Sequence, residues 1–257
     1  MTLAHDVTGD GPALVLLHSG VCDRRMWDPQ WPMLAGAGYR VVRCDFRGFG
    51  ASPLTGGPHN DPEDVLALMD TLGIARAALL GSSYGGHVAL EIAARHPERV
   101  AALALLCAGQ PGYEPSAELR AFGEREDALL AAGDVAGAVE LNVATWLGPE
   151  ADEPARTALR TMQRRAFDVQ LAAPDGAGRR EVPVDLAAVA APCLAVSGGQ
   201  DLADFRAIAA GLPQVLRGAD VRHVELPWAG HFPGMERPAE TAELVAGFLN
   251  DAYPAAG

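Results

Sequence analysis

A glycine-rich and serine-rich turn at residues 79–86, where an apolar run meets a helical pattern, offers the clearest nucleophile in this sequence. A serine at a sharp strand-to-helix turn has an exposed hydroxyl, but the turn tolerates almost no side chain two residues away on either side. Gly81 and Gly85 meet this requirement around Ser83. Bulky leucine and tyrosine side chains stand at the same offsets from Ser82. The sterics therefore select Ser83, while a glycine-rich turn without chemistry stays the alternative for this pentapeptide alone.

The elements that must position this serine alternate between apolar runs of strand length and helical patterns. Such a rhythm is typical of an α/β fold with a mostly parallel, doubly wound sheet. Strands are predicted at 3–7, 13–17, 39–44, 77–80, 100–107, 192–197 and 221–226. Helices are predicted from 26 to 36 or 38, and at 62–72, 84–96, 202–212 and 238–249. The serine follows the 77–80 strand, so it belongs to the carboxyl edge of the sheet, where ligands of such folds bind. The tail at 251–257 is predicted to be disordered.

Residues 110–188 interrupt the alternation, because they contain helical patterns and no apolar strand. We expect an all-helical cap inserted over the carboxyl edge, with residues 1–109 and 189–257 forming the core domain. Trp146, Met162 and Phe167 could line a pocket beneath this cap. The favoured interpretation is that they form the cap's own core, since large apolar side chains most often pack within their own unit.

Composition excludes several functions. The 257 residues have a formal net charge of −13, and all 20 basic residues are arginine, with no lysine. The negative field disfavours nucleic acid and anionic membranes as partners. Without lysine, a Walker phosphate loop, a Schiff-base site and a Ser-Lys dyad are impossible. The start of the chain has no basic segment followed by an apolar one, so a cytoplasmic location is expected.

Metal and cofactor motifs are missing from the sequence. It contains neither His-Glu-x-x-His nor Cys-x-x-Cys, and its four widely spaced cysteines, Cys22, Cys44, Cys107 and Cys193, are predicted to be small buried hydrophobes. The Gly48-x-Gly50 turn is not a dinucleotide fingerprint, because Pro53 occupies the position of its third small residue. Asp45 and Arg47 are instead expected to brace this turn by hydrogen bonds. We therefore expect no cofactor and no metal.

The order of these features resembles the α/β-hydrolase superfamily over the whole chain. The resemblance rests on six features in the family's order. They are the loop at 18–21, the Asp45-x-Arg47-Gly48-x-Gly50-x-Ser52 turn, the strand-to-helix turn Gly81–Gly85 around Ser83 (the elbow), the helical insertion, Gly198-x-x-Asp201 and Gly230-His231. It implies the α/β-hydrolase fold and a nucleophile, acid and histidine in the order Ser83, Asp201, His231. Asp201 and His231 both follow predicted strands, so they belong to the same sheet edge as Ser83.

Other candidates for the acid and base are weaker. His5, His59, His87, His96 and His223 lie in peripheral segments, in a strand or on a helix, and structural roles are expected for them. Asp204 falls one turn into the next helix. The alternative acid position of some relatives would fall at Cys107-Ala108-Gly109, which offers no carboxylate.

The resemblance also implies an oxyanion hole made of two backbone amides. One belongs to Tyr84, at the start of the elbow helix. The second belongs to the loop after the first buried strand, with Gly20 expected and Val21 the alternative. Here Ser19 follows His18, where the family usually has a His-Gly pair. His18 is expected to brace the loop.

The expected function is cofactor-independent cleavage of a carboxylic ester, lactone or related small acyl compound through an acyl-enzyme. The stretch 26–30 resembles enol-lactonase-like members. A serine at the elbow argues against epoxide hydrolase and haloalkane dehalogenase chemistry, which use a carboxylate nucleophile in this family. Carbon–carbon bond hydrolysis and perhydrolysis would use the same three residues. A ligand receptor on the same fold stays open as a different class, and oligomeric state is not predicted.

Overall fold

A computed structural model describes residues 2–255. Its strands are β1 (His5–Thr8), β2 (Ala13–Leu17), β3 (Arg40–Cys44), β4 (Pro58–His59), β5 (Ala77–Ser82), β6 (Val100–Leu106), β7 (Gly178–Arg179), β8 (Cys193–Gly198) and β9 (Val221–Leu226). Its α-helices are α1 (Trp31–Gly36), α2 (Asp61–Thr71), α3 (Tyr84–Arg95), α4 (Ala117–Ala131), α5 (Val135–Trp146), α6 (Glu153–Leu171), α7 (Ala203–Val215), α8 (Pro233–Glu236) and α9 (Pro238–Ala252). Within residues 2–255, none of the helices combines the length and apolar character needed to cross a membrane.

Seven strands form the main sheet in the order β1-β3-β2-β5-β6-β8-β9. Every neighbouring pair is parallel except β1 with β3, where the short edge strand runs antiparallel. The prediction of an α/β fold with a mostly parallel sheet is confirmed. The chain moves from β2 to β3 on one side and then returns to β5 on the other, so the strand order reverses at β2. Ligands of open α/β sheets bind beyond the carboxyl ends of strands at such a reversal.

Both faces of this sheet are covered by helices, which explains why its central strands are continuous apolar runs. Successive side chains of a strand point to opposite faces. In β2, Val15 and Leu17 therefore belong to one apolar cluster, whereas Leu14 and Leu16 belong to another. The same alternation occurs in β5 and β6. All four cysteines lie buried in the protein as free thiols, as the sequence predicts.

The segment from 110 to 188 contains α4, α5 and α6, with α5 packed against the other two helices. The prediction that this segment is all helical is wrong at Gly178–Arg179. This two-residue strand pairs in parallel with Pro58–His59, which lies before α2. A strand of two residues has no periodicity that a sequence could show, and its partner is 120 residues away. The pairing joins the insertion to the core on the side of the elbow.

The predicted disorder of the tail is wrong for the residues that the structure describes. Helix α9 continues to Ala252, and the Tyr39 hydroxyl donates a hydrogen bond to the Tyr253 carbonyl at 3.1 Å. This contact fixes the last turn of α9 against the start of β3. Ala256 and Gly257 lie outside the described residues.

Candidate active site

Ser83 lies in the turn between β5 and α3 with φ of 51° and ψ of −112°, a backbone conformation that a residue with a side chain rarely adopts. Strain of this kind costs about 1–3 kcal/mol and persists where surrounding contacts impose it. A Cβ atom on Gly81 would lie 2.5 Å from the Gly85 carbonyl oxygen. A Cβ atom on Gly85 would overlap the Leu17 carbonyl oxygen at the end of β2. Both glycines are thus required by close backbone approach.

We expect Gly85→Ala to destabilise the protein by about 3 kcal/mol, because the new methyl group would overlap backbone atoms of Leu17 and His18. The measurement is the free energy of unfolding in urea. Gly211→Ala is the matched control, since Gly211 lies inside α7 with open space around it. That control should stabilise the protein by about 0.5–1 kcal/mol. Unchanged stability of Gly85→Ala would contradict the steric account of the elbow.

The structure brings Ser83, His231 and Asp201 together. His231 Nε2 lies 2.7 Å from Ser83 Oγ, and His231 Nδ1 lies 2.7 Å from Asp201 Oδ2. Ser83 follows β5, Asp201 follows β8 and His231 follows β9, so the three side chains meet at the carboxyl edge of the sheet. Asp201 Oδ1 accepts the Leu202 amide at 2.7 Å, which fixes the carboxylate. The buried carboxylate can hold Nδ1 protonated, which leaves Nε2 to accept the serine proton.

Ser82, the other serine of the turn, is the last residue of β5 and is buried. Its hydroxyl has no hydrogen-bond partner among residues 2–255. Ser83 is partly exposed and bonded to His231. The geometry therefore places Ser83, and not Ser82, within reach of both solvent and the imidazole of His231.

Aromatic rings enclose the imidazole of His231. The ring centroids of Phe205, Trp146 and Phe232 lie 4.2, 4.7 and 5.0 Å from the His231 ring. Trp146 ends α5, and its carbonyl accepts the His231 amide at 2.8 Å. The expectation that Trp146 is only part of the insertion's own core is therefore corrected, because this residue touches the histidine directly. Phe167, in contrast, packs within the insertion, against Ala138 and Val139.

Three glycines let the backbone segments around Asp201 and His231 touch one another, and we refer to this as the glycine contact. Gly198 ends β8, Gly230 precedes His231, and Gly148 follows α5. A Cβ atom on Gly198 would overlap the Gly230 carbonyl oxygen, and one on Gly230 would overlap the Gly148 amide nitrogen. Main-chain packing consequently sets the distance between the loop after β8, which carries Asp201, and the loop after β9, which carries His231 (the histidine loop).

Glu236 is a residue of the site that sequence reasoning missed. Its carboxylate accepts the Gly230 amide at 3.1 Å and the Phe232 amide at 3.4 Å, so it holds the loop on both sides of His231. Burial raises the pKa of this carboxyl, although the amide donors act in the opposite direction. A glutamate at the end of a four-residue helix carries no signal that could have identified this role from sequence.

Glu236→Ala is expected to lower the free energy of unfolding by about 1–3 kcal/mol, since it leaves buried amides without an acceptor. Thermal and urea unfolding measure this change. Glu243→Ala, an exposed position on the adjacent helix α9, should stay within about 0.5 kcal/mol of wild type. Equal stability of the two variants would show that Glu236 does not hold the histidine loop.

Gly20 and Tyr84 lie side by side next to Ser83. A Cβ atom on Gly20 would be 3.4 Å from Tyr84 Cβ. Within residues 2–255 neither amide has a hydrogen-bond acceptor, whereas the Val21 amide reaches Ser19 Oγ at 3.4 Å. His18 is fully buried; its Nδ1 donates to the Ser19 carbonyl at 2.7 Å, and its Nε2 accepts the Phe46 amide at 2.9 Å. The histidine thus braces the loop, and the arrangement favours Gly20 over Val21 as an available donor.

The other residues weighed from sequence lie in structural contacts, with one exception. Asp204 accepts the amide and hydroxyl of Ser116 at 2.7 and 2.6 Å, at the start of α4. Asp45 accepts amides of Arg24 and Ala51 and so braces its turn as expected. Arg47 instead pairs with Asp64 on α2. His87 contacts Glu91 at 2.8 Å, and His223 contacts Ser197 at 2.9 Å. The exception is His59, which is not peripheral and is described below.

Cys107 completes a group of three possible metal ligands, since its Sγ and the side-chain ligand atoms of Asp201 and His231 lie within 4.8 Å of one another. Burial raises the pKa of the Cys107 thiol well above its ordinary value. Metal binding at Cys107 would need the thiolate. The position of Cys107 matters in another way, because its side chain is near enough to the histidine to be replaced by a second acid.

A family model for the alpha/beta hydrolase fold matches residues 12–238. The chain belongs to the α/β-hydrolase family. Among solved structures it resembles a hydrolase from Pseudomonas aeruginosa PA01, with 31% identity, a TM-score of 0.79, and coverage of 96% of this chain and 94% of that one. It also resembles the enol-lactonase from Burkholderia xenovorans LB400, with 28% identity, a TM-score of 0.78 and 96% coverage of both chains.

One curated relative shares more identity over a shorter stretch. It is the 2-hydroxy-6-oxononadienedioate/2-hydroxy-6-oxononatrienedioate hydrolase of Burkholderia vietnamiensis, which is 42% identical over 113 residues. The match covers 41% of this chain and 39% of that protein. These comparisons establish the fold and a hydrolase family for the chain.

This α/β-hydrolase has a cavity of about 450 Å³ beside the elbow, which we call the polar cavity. Gly20 and Tyr84 line it, together with His59, Asp61 and Arg179. Phe49 and Leu54 supply an apolar wall. Sequence reasoning missed Asp61 and Arg179 and assigned His59 to the periphery, because the cavity forms only where β4 meets β7.

Proposed function

We propose that this α/β-hydrolase is a serine hydrolase that cleaves a small carboxylic ester or lactone through an acyl-enzyme. The observation that supports this function is the pair of 2.7 Å contacts that join Ser83, His231 and Asp201 in series. A binding protein has no need of a nucleophile, a base and an orienting acid in hydrogen-bond sequence.

In the proposed reaction, Ser83 Oγ attacks the carbonyl carbon as its proton passes to His231 Nε2. Asp201 holds the other imidazole nitrogen and stabilises the imidazolium that forms. The negative oxygen of the tetrahedral intermediate accepts hydrogen bonds from the amides of Gly20 and Tyr84. Each such donor contributes about 3 kcal/mol of transition-state stabilisation. His231 then returns the proton to the leaving alcohol, and a water molecule releases the acid by the same route. The proposed steps use the three side chains, the two backbone amides and one water molecule.

Residues 110–188 act in this proposal as a cap. Its helix α5 presents Trp146 to the imidazole of His231, and its strand β7 closes one wall of the polar cavity. Substrate choice is therefore expected to depend on this segment, while the chemistry depends on the core. An ester or lactone is preferred as the substrate class, since the likeness to the enol-lactonase extends over 96% of both chains.

Hydrolysis of a carbon–carbon bond is the second candidate. It is favoured by the 42% identity to the 2-hydroxy-6-oxononadienedioate hydrolase over 113 residues, and it would use the same triad. The match does not extend to most of that relative, so the ester or lactone proposal stands first.

A substrate panel tests the proposal. Short p-nitrophenyl esters, lactones, a thioester and a diketone are incubated with wild type and with Ser83→Ala. We expect turnover of the ester or lactone by wild type alone, together with covalent labelling by a serine-directed fluorophosphonate. Faster turnover of the diketone would assign the carbon–carbon reaction. Absence of both turnover and labelling would overturn the hydrolase, and tight binding without turnover would identify a receptor.

A further inference from the structure

Two of the residues that line the polar cavity, His59 and Asp61, have buried hydrogen-bonding atoms without a partner in the described part of the chain. The side chains of His59 and Asp61 are 8% and 4% exposed, and both line the cavity. His59 Nδ1 and Asp61 Oδ1 have no hydrogen-bond partner among residues 2–255. Leaving such an atom buried and unpaired costs about 1–3 kcal/mol, so each requires an explanation.

The contact between His59 and Asp61 indicates which kind of hydrogen-bonding partner the two unused atoms lack. His59 Nε2 lies 3.6 Å from Asp61 Oδ1, an attractive arrangement when the imidazole carries its proton on Nε2. Nδ1 is then an acceptor. Asp61 Oδ2 already accepts a hydrogen bond from the Tyr84 hydroxyl, and Oδ1 is an acceptor as well. Both unused atoms therefore require a donor.

The charges around the cavity argue against an anionic occupant. Arg179 lies over the Tyr84 ring at 4.5 Å and donates to Glu181 at 3.0 Å, while Arg47 is paired with Asp64. A carboxylate placed here would meet the Asp61 carboxylate and find both arginines already engaged. Burial raises the pKa of Asp61, and a donor on Oδ1 would favour its ionised form. An uncharged donor fits these groups better than an acid.

The cavity also adjoins the proposed oxyanion hole. Tyr84 follows the nucleophile directly, and Tyr84 and Gly20 both line the cavity and carry the proposed oxyanion amides. A group that reaches His59 and Asp61 is therefore attached close to the reacting carbonyl. The apolar wall of Phe49 and Leu54 suits the few carbon atoms of the substrate that would separate this group from the carbonyl.

We propose that the polar cavity is a substrate subsite in which His59 Nδ1 and Asp61 Oδ1 accept hydrogen bonds from a hydroxyl or amide N–H group on the substrate. This inference rests on the proposed hydrolase function and gives it a substrate class. The preferred substrates are hydroxy-acyl or N-acylamino-acyl esters and lactones.

Matched p-nitrophenyl esters test this subsite: butanoate against 3-hydroxybutanoate, pentanoate against N-acetylglycinate, and hexanoate against the half ester of adipic acid. Wild type should prefer at least one of the two donor-bearing esters by about tenfold to hundredfold in kcat/KM, and should not prefer the anionic one. In His59→Phe and in Asp61→Asn, the same ratio should fall to about twofold or less. His96→Phe, at the far end of α3, is the control that should keep the wild-type ratio.

Each other outcome has a defined meaning. Hydrolysis without a preference for either donor-bearing ester, or a preference retained in both His59→Phe and Asp61→Asn, would overturn the subsite and leave the hydrolase intact. A preference for the adipate half ester would overturn it in favour of an anion site. If no ester is hydrolysed and Ser83 is not labelled by a fluorophosphonate, the proposed function fails and the subsite fails with it.

Discussion

Ser83→Ala should lower kcat for hydrolysis of a p-nitrophenyl ester by about 10⁵-fold to 10⁶-fold, because the atom that forms the acyl-enzyme is removed. Substrate binding should change little, since Ser83 contributes one hydroxyl at the base of the site. The activity that remains should reflect water attack assisted by His231 and the oxyanion amides. Steady-state kinetics of wild type and variant measure the loss, and a burst of p-nitrophenol should disappear with it.

Ser82→Ala is the matched control for this loss. Ser82 adjoins Ser83 but is buried at the end of β5, so kcat should stay within about tenfold of wild type. A fluorophosphonate should label the Ser82→Ala variant and wild type equally and should not label Ser83→Ala. Labelling of Ser83→Ala at the wild-type rate would assign the nucleophile to another residue.

Asp201→Asn should lower kcat by about 10⁴-fold while the fold is kept. The amide is nearly isosteric with the carboxylate, but its nitrogen can donate to His231 Nδ1. That bond would place the imidazole proton on Nε2, where the serine proton must be accepted. Kinetics and thermal unfolding together separate this loss of chemistry from a loss of folding. A variant with more than about one tenth of wild-type activity would exclude Asp201 as the orienting acid.

A second substitution should recover part of this loss. Cys107 Sγ and the side-chain ligand atoms of Asp201 and His231 all lie within 4.8 Å of one another. Cys107→Asp in the Asp201→Asn background therefore supplies a carboxylate near the histidine. Cys107 has φ of 46°, a conformation that aspartate tolerates better than most residues. We expect kcat to rise again by at least about tenfold. Cys107→Ser in the same background is the control and should give no recovery. Equal rates for the two double variants would contradict the prediction.

The elbow was predictable because its requirements are local. Gly81 and Gly85 stand at fixed offsets from Ser83, and a turn with so little room imposes the same sterics in sequence and in structure. Asp201 and His231 were predictable because each follows a strand of a parallel sheet, whose carboxyl ends share one edge. Predicting these two positions required only an approximate strand order of the sheet. Their assignment to catalytic roles stays a prediction until the variants are measured.

The residues around Ser83, Asp201 and His231 were not predictable in the same way. Trp146 and Phe167 are both large aromatic residues of the inserted helices, yet only Trp146 lies against His231. The packing of the helices, and not the sequence pattern of each helix, decides which ring reaches the core domain. His59 joins Arg179 through a pairing of two-residue strands 120 positions apart, which leaves no period in the sequence. Glu236 acts through main-chain amides, and such contacts depend on loop geometry alone.

The glycine contact has a consequence for altering the specificity of this protein by directed evolution. Gly148, Gly198 and Gly230 belong to three segments that are far apart in the chain, yet none of the three positions has room for even a methyl group. A library that randomises them would consist almost entirely of inactive variants. Phe49, Leu54 and Gln170 line the polar cavity through their side chains and take no part in that contact. Under the proposed function, diversity placed at these three positions is expected to change which substrates are accepted, while the spacing of Asp201 and His231 stays the same.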